Sequence, residues 1–106
     1  MERSYSVRRT DDRVSVLGDI DMGSALGFAD DLLGAVSDDG HGEDLELDLS
    51  GVTFIDSAGL QALITVVQSV PRPVRIAASS RVFVALDVVG LTGGKWDGVS
   101  VSRVEN

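Results

Sequence analysis

The strongest constraint on the fold is a strand pattern that runs directly into an amphipathic helix pattern in the middle of the chain. Leucines alternate with acidic residues over 45–49, which predicts a strand with one buried face. From Leu60 onward, apolar residues recur at i, i+3, i+4 and i+7, which predicts a helix over residues 57–70 that ends at Pro71. A chain with this transition is predicted to build a sheet covered by helices.

Patterns on either side of this transition complete the predicted domain. Residues 4–9 and 13–17 alternate around a polar turn, which predicts an antiparallel hairpin. The other predicted elements are helices over 21–36 and 80–89 and short strands over 74–78 and 99–103. Strands that alternate with helices pair in parallel. The predicted fold class is therefore α/β: a single domain over residues 1–106 with a mixed β-sheet, opened by an antiparallel hairpin, and with crossover helices.

Two details of these elements are also predicted. Ser50 and Gly51 are expected to break the central strand before a short extended segment leads into the helix. The inward face of the first helix is expected to consist of apolar residues spaced at i, i+3, i+7 and i+10, namely Leu26, Ala29, Leu33 and Val36.

The charge balance excludes several classes of function. Seventeen acidic against nine basic residues give a net charge of −8, which argues against binding to nucleic acids or to anionic membranes. There are no cysteines and only one histidine, His41, so disulfides, thiol catalysis and multi-histidine metal sites are excluded. The sequence shows no signal-peptide pattern and no apolar run long enough for a membrane helix, so the cytoplasm is the predicted location.

The charges are unevenly distributed along the chain. Residues 14–70 contain no Lys or Arg but eleven acidic residues. This distribution is typical either of a solvated acidic face or of an acidic surface that meets a basic patch on a partner. The sequence leaves both interpretations open.

Ser57 stands where the central strand ends and the helix begins. Its hydroxyl is predicted to cap the first turn, and the free N–H groups of a helix N-terminus also accommodate phosphate. Ala58 and Gly59 leave that hydroxyl sterically open. An uncharged polar stripe then runs along the helix at i, i+4, i+8 and i+11: Ser57, Gln61, Thr65 and Gln68. Since solvated helix faces usually carry charges, this stripe indicates a contact surface.

Catalytic and cofactor-binding motifs are missing from the sequence. The segment around Ser57 lacks the first glycine of a nucleophile elbow, because Ile55 stands in its place. His41, the one possible general base, lies in a polar loop. No phosphate-binding glycine motif is present, and Asp21 and Asp56 have no third ligand at motif spacing for a metal. We therefore predict no enzyme activity, no metal and no cofactor.

At these residues the sequence resembles the STAS domains, and within them the bacterial anti-sigma factor antagonists. The resemblance is carried by residues 45–63, LELDLSGVTFIDSAGLQAL, with weaker matches at GDID (18–21) and around VVGL (88–91). It implies a regulatory switch. The unmodified protein would bind an anti-sigma factor that is also a serine kinase, and so release the sigma factor. Phosphorylation at Ser57 would end that binding, and a metal-dependent phosphatase would restore it.

The resemblance also implies a set of partner-binding residues around the phosphorylation site. Asp21 and Asp56 match acidic positions near that site in the family. With the stripe, the predicted contact residues are Asp21, Asp56, Ser57, Ala58, Gly59, Gln61, Thr65 and Gln68. Two alternatives remain: a STAS adaptor subunit, for example on a transporter ATPase, that is not phosphorylated, and a small nucleotide-binding STAS module.

Overall fold

The computed structural model describes residues 4–10, 13–36, 45–70, 73–90 and 98–104. Five strands and three helices follow one another in these ranges: β1 (Tyr5–Thr10), β2 (Arg13–Ile20), α1 (Ala25–Val36), β3 (Leu45–Ile55), α2 (Ser57–Ser69), β4 (Val74–Ala78), α3 (Ser80–Val88) and β5 (Val99–Arg103). The expectation about the loop that contains His41 lies outside the described residues. None of these helices has the length and apolar character that a bilayer crossing requires.

The strands form one mixed sheet in the order β1-β2-β3-β4-β5. The hairpin pair β1 and β2 is antiparallel, and every other neighbouring pair is parallel. The predicted fold class, an α/β domain whose mixed sheet opens with a hairpin, is therefore confirmed. Since β3 lies at the centre and α2 follows it after one residue, the start of α2 lies at the carboxyl edge of the sheet.

The predicted break at Ser50 and Gly51 is wrong, because β3 continues through both residues. Its register against β2 shifts there instead, so that Ser15 pairs with Asp48 but Leu17 pairs with Gly51. The Asp48 carboxylate accepts hydrogen bonds from the backbone amide and the hydroxyl of Ser50, at 2.9 and 2.6 Å. A β-bulge of this kind accommodates an extra residue without ending the strand.

One face of the sheet and the three helices enclose a single apolar cluster. The sheet contributes alternate residues of its central strands: Val14, Val16, Leu45, Leu47, Leu49, Val74 and Ile76. In α1 the predicted inward face is wrong at Leu26 and Leu33, which are 86% and 44% exposed, whereas Val36 is buried and Ala29 packs half buried against the core as predicted. The buried residues of the helix are Phe28, Leu32 and Val36. Because α1 has apolar residues on most of its circumference, its spacing fits two faces, and the packing against β1 selects the one at Phe28.

Contacts to β1 fix the rotation of α1. The Tyr5 hydroxyl donates a hydrogen bond to the Asp31 carboxylate at 2.7 Å, and the Tyr5 ring meets the Phe28 ring edge-on at 5.7 Å. At the other end of the helix, the Arg9 guanidinium donates to the carbonyl of Ala35. These contacts turn Phe28 into the core and leave the opposite flank of α1 exposed.

The second face of the sheet is polar and uncovered by the helices. Arg13 and Arg75 both lie near Glu46, at 3.9 and 2.8 Å, and Arg13 lies 3.4 Å from Asp48. Small side chains on β4 and β5 leave a shallow groove of about 380 Å³ beside these ion pairs. Since the pairs are half exposed, we expect each to contribute little to stability. No residue of α2 lines this groove.

Asp48 is expected to make the stability of the fold depend on acidic pH. Burial alone would raise the pKa of Asp48, but the two hydrogen bonds from Ser50 and the charge of Arg13 outweigh it and hold the pKa below 3.8. A carboxylate with a depressed folded pKa stabilises the protein above its unfolded pKa, and that contribution is lost as pH falls through the folded value.

The Asp48→Asn variant has no carboxylate at this position, so it lacks the pH-dependent contribution of Asp48 to stability. We expect the variant to be about 0.5–1.5 kcal/mol less stable at neutral pH, because a neutral amide oxygen is a weaker acceptor for Ser50 than a carboxylate and does not attract Arg13. The difference should shrink in urea unfolding curves recorded from neutral pH down to about pH 2.5. Parallel stability curves for the two proteins would contradict this assignment.

Candidate functional site

The start of α2 is built by Asp56, the single residue between β3 and the helix. Its backbone is extended, with φ −99° and ψ −174°, and its carboxylate accepts a hydrogen bond from the Gly59 amide at 2.9 Å. Asp56 is therefore the N-cap. The prediction that Ser57 caps this helix is wrong, because Ser57 already lies inside the first turn.

Because Asp56 caps α2, the side chain of Ser57 is not needed for the hydrogen bonds that hold the start of this helix. Ser57 is exposed, and within the described ranges its hydroxyl has no hydrogen-bond partner. As the first residue of α2, it also lies at the positive end of the helix dipole. The geometry therefore presents an accessible hydroxyl where an added phosphate group would be electrostatically tolerated.

Asp56 also connects α2 to the turn between β2 and α1. The other oxygen of its carboxylate accepts from the Met22 amide at 2.9 Å, and the Asp56 amide donates to the carbonyl of Ile20 at 3.1 Å. Asp21 is next to this connection. Its carboxylate accepts from the Gly23 amide at 3.0 Å and from the Ser24 hydroxyl at 3.2 Å. The two predicted acidic residues therefore stand on neighbouring loops, each stabilising a turn.

Gly59 is buried beneath the first turn of α2. A methyl group placed on it would lie 2.8 Å from the carbonyl oxygen of Ile20, 2.8 Å from the Ile20 side chain and 2.9 Å from Ile55. Gly59 therefore lies beneath the predicted contact surface, and its contact with a partner stays a prediction. Its missing side chain lets α2 approach β2 and β3 closely, and this approach positions Ser57.

The polar stripe of α2 faces outward along the whole helix. Gln61, Thr65 and Gln68 are exposed, as Ser57 is, and Ala58 is half buried beside them. The Thr65 hydroxyl donates to the Gln61 carbonyl at 2.9 Å. The opposite side of the helix carries its buried residues: Gly59, Leu60, Leu63, Val66 and Val67. The stripe thus forms a continuous surface of neutral polar groups that begins at Ser57.

Two groups near the site were not predicted from the sequence. A second register shift in β3 lets Thr53 bond to the Asp19 carboxylate and leaves Phe54 47% exposed. The Arg81 guanidinium lies 3.5 Å from the Thr53 carbonyl, so a cation reaches this edge of the sheet from α3. No local pattern indicates either contact, because Arg81 and Thr53 are 28 residues apart.

The arrangement offers a modifiable hydroxyl and a contact surface rather than a metal site. Among the residues that the structure describes, no group of three or more His, Asp or Glu side chains is placed to hold a metal ion. The Asp56 and Asp21 carboxylates already accept hydrogen bonds from backbone amides. Their role in this geometry is to hold two turns together at the start of α2.

Removing the Asp56 carboxylate is expected to destabilise the site. Asp56→Ala loses the helix cap and the bond to Met22, and we expect a decrease of about 1–2 kcal/mol in unfolding free energy. Asp30→Ala, on the exposed surface of α1, is the matched control and should change stability by less than about 0.5 kcal/mol. Equal midpoints for both variants in urea unfolding would contradict the capping role.

Comparisons with known proteins identify a matching family model and a similar solved structure. Residues 4–93 match a family model described as "Mlab, STAS domain". Among solved structures, the crystal structure of an anti-sigma factor antagonist from Mycobacterium paratuberculosis is similar, with a TM-score of 0.68 and 27% sequence identity. That match covers 91% of this chain and 83% of the other. A search of curated proteins found no match.

Proposed function

We propose that this chain, which belongs to the STAS domain family, is an anti-sigma factor antagonist whose binding is switched by phosphorylation of Ser57. The similar crystal structure of an antagonist supports the general function. The unmodified protein binds an anti-sigma factor and so releases the sigma factor. The protein itself is a regulatory binding module and catalyses no reaction.

The observation that carries the proposal is that Asp56, and not Ser57, caps α2. A serine that caps a helix is held by that hydrogen bond, and modifying it would weaken the fold. Here the Ser57 side chain is exposed and the cap does not depend on it. A kinase can therefore modify the hydroxyl while the domain stays folded.

The effect of the phosphate follows from its position at the head of the neutral stripe. Phosphorylation adds a charge of about −1.5 to −2 and three oxygen atoms. Asp56 is adjacent, so the new group adds to an existing negative charge, and it protrudes into the surface that a partner would cover. Steric clash and charge both oppose binding, whereas the dipole of α2 limits the internal penalty.

Two further proteins complete the proposed cycle. The anti-sigma factor acts as an ATP-dependent serine kinase that phosphorylates Ser57 in the complex. A metal-dependent phosphatase hydrolyses the phosphoserine and returns the protein to its binding form. In this scheme Gln61, Thr65 and Gln68 contact the anti-sigma factor, with Ala58 and the turns held by Asp21 and Asp56 beside them.

The proposal is tested by isolating the protein from its own cells together with its partners. Mass spectrometry of the Ser57 peptide and of each co-purifying protein measures modification and binding in one sample. We expect a phosphorylated Ser57 peptide in the free protein, and a small kinase bound only to the unmodified form. A Ser57 peptide that stays unmodified under all growth conditions would overturn the switch.

The second candidate function is an adaptor subunit that binds without phosphorylation. The family model that matches residues 4–93 is described as Mlab and not as an antagonist, which favours keeping this candidate. The same exposed face of α2 would serve as its contact surface. A transporter ATPase in the eluate, together with an unmodified Ser57 peptide, would be the result that identifies it.

A further inference from the structure

Two large apolar side chains are exposed at the turn that Asp56 holds. Met22 is 79% exposed and Leu26 is 86% exposed, the highest value among the large apolar residues of the described ranges. Isolated apolar residues on a protein surface are ordinary. Here, however, two of them lie on one short segment, and that segment is fixed to the candidate site.

The connection to Ser57 passes through a single residue. The Met22 amide donates to the Asp56 carboxylate at 2.9 Å, and Asp56 precedes Ser57 directly. Leu26 follows one turn later, in the first turn of α1. The helical repeat places Leu26 away from Asp31, the residue that bonds to Tyr5 of β1. Met22 therefore lies on the loop that is bonded to Asp56, Leu26 lies in the first turn of the helix that follows it, and both side chains are exposed.

The surroundings of these two side chains are acidic. Asp19, Asp21 and Asp30 are exposed on the same turn and its flanking elements, and residues 14–70 contain no Lys or Arg. A partner that covers this region gains most from an apolar pocket for the two side chains, with basic groups around it. Burying Met and Leu also supplies binding free energy that the neutral stripe of α2 lacks.

We infer that Met22 and Leu26 are the apolar anchors of the contact at Ser57, and that the partner protein receives them in an apolar pocket bordered by basic side chains. This inference rests on the proposed function, because it assigns the partner of that same site. It also gives a physical reason for the switch. A phosphate on Ser57 would have to lose its hydration beside Met22, so it weakens the complex even though the partner is basic.

The test measures the affinity of the purified kinase from the cell isolation for the full-length protein and its variants. Leu26→Gln and Met22→Gln should each weaken binding about tenfold or more, at unchanged melting temperature. Val88→Gln on α3, where the side chain is 80% exposed, is the matched control and should bind as the wild type does. Raising the salt concentration should weaken kinase binding by the wild type and by Leu26→Gln by the same factor, because the basic contacts are separate from the anchors.

Three results would overturn the inference, each in a different way. If Leu26→Gln and Met22→Gln bind like the wild type while Ser57→Asp does not, the anchors are wrong and the proposed switch stands. If the free protein self-associates in sedimentation and Leu26→Gln is monomeric, the patch is covered by a second copy. If no kinase co-purifies with unmodified protein, the proposed function fails and the inference fails with it.

Discussion

Ser57→Asp is expected to weaken binding to the anti-sigma factor by at least about tenfold, which corresponds to roughly 1.4 kcal/mol. The substitution places a fixed negative charge at the head of the neutral stripe, directly after Asp56. In the complex that charge would lose its hydration against the neutral stripe and beside the Asp56 carboxylate, and both effects oppose binding. Isothermal titration with the purified kinase measures the loss.

The same substitution is expected to leave the fold unchanged. The cap of α2 belongs to Asp56, and a carboxylate in the first turn of a helix is favourable by about 0.3–1 kcal/mol. Circular dichroism should be that of the wild type, and the melting temperature should be equal or slightly higher. A variant that loses both binding and structure would show that Ser57 has a structural role that the geometry does not indicate.

Two neutral variants distinguish the effect of charge on binding from the effect of side-chain size at this position. Ser57→Ala removes the phosphate acceptor and should bind constitutively, because the hydroxyl has no partner within the described ranges. Ser57→Asn has nearly the size of aspartate without its charge, so it should bind much better than Ser57→Asp. Tight binding by Ser57→Asp would rule out the charge-based switch.

A methyl group added at Gly59 is expected to destabilise the fold. Gly59→Ala places its Cβ 2.8 Å from the backbone carbonyl of Ile20, and a backbone atom cannot rotate away as a side chain can. Overpacking of this kind is destabilising by about 1–3 kcal/mol, partly offset by roughly 1 kcal/mol of better helix propensity. We therefore expect a net loss of up to about 2 kcal/mol.

Gly34→Ala is the matched control, because Gly34 is also helical but has no atom within 4 Å of an added Cβ. Only helix propensity acts there, so the variant should be about 0.5–1 kcal/mol more stable than the wild type. The two substitutions should thus shift the melting temperature in opposite directions, by about 4–8 °C per kcal/mol. Shifts of the same sign would contradict the close approach of α2 to Ile20.

Patterns with a repeat of two or of 3.6 residues were sufficient for most of the fold. The alternation in the hairpin and at residues 45–49, and the apolar spacing from Leu60, predicted elements that the structure confirms, although β3 continues past the predicted break to Ile55. The inward face of α1 was not predictable in this way. Leu26 and Phe28 both begin a plausible apolar stripe, and only the contact of Phe28 with Tyr5 of β1 decides between them.

For the candidate site too, some features follow from the local sequence and others from tertiary packing. The sequence alone places Asp56 and Ser57 where a strand passes into a helix, because neighbours in the chain stay neighbours in the fold. It also determined the neutral stripe, since helical spacing places Gln61, Thr65 and Gln68 on one side.

The surroundings of that stripe depend on contacts between segments that are distant in the chain. The Asp56 carboxylate meets the Met22 amide across 34 residues, and Arg81 reaches the Thr53 carbonyl across 28. These contacts depend on β2, β3 and β4 lying side by side in the sheet, which no local pattern encodes. The exposure of Met22 and Leu26 and the burial of Gly59 follow from that packing, because each depends on atoms that are distant in the chain.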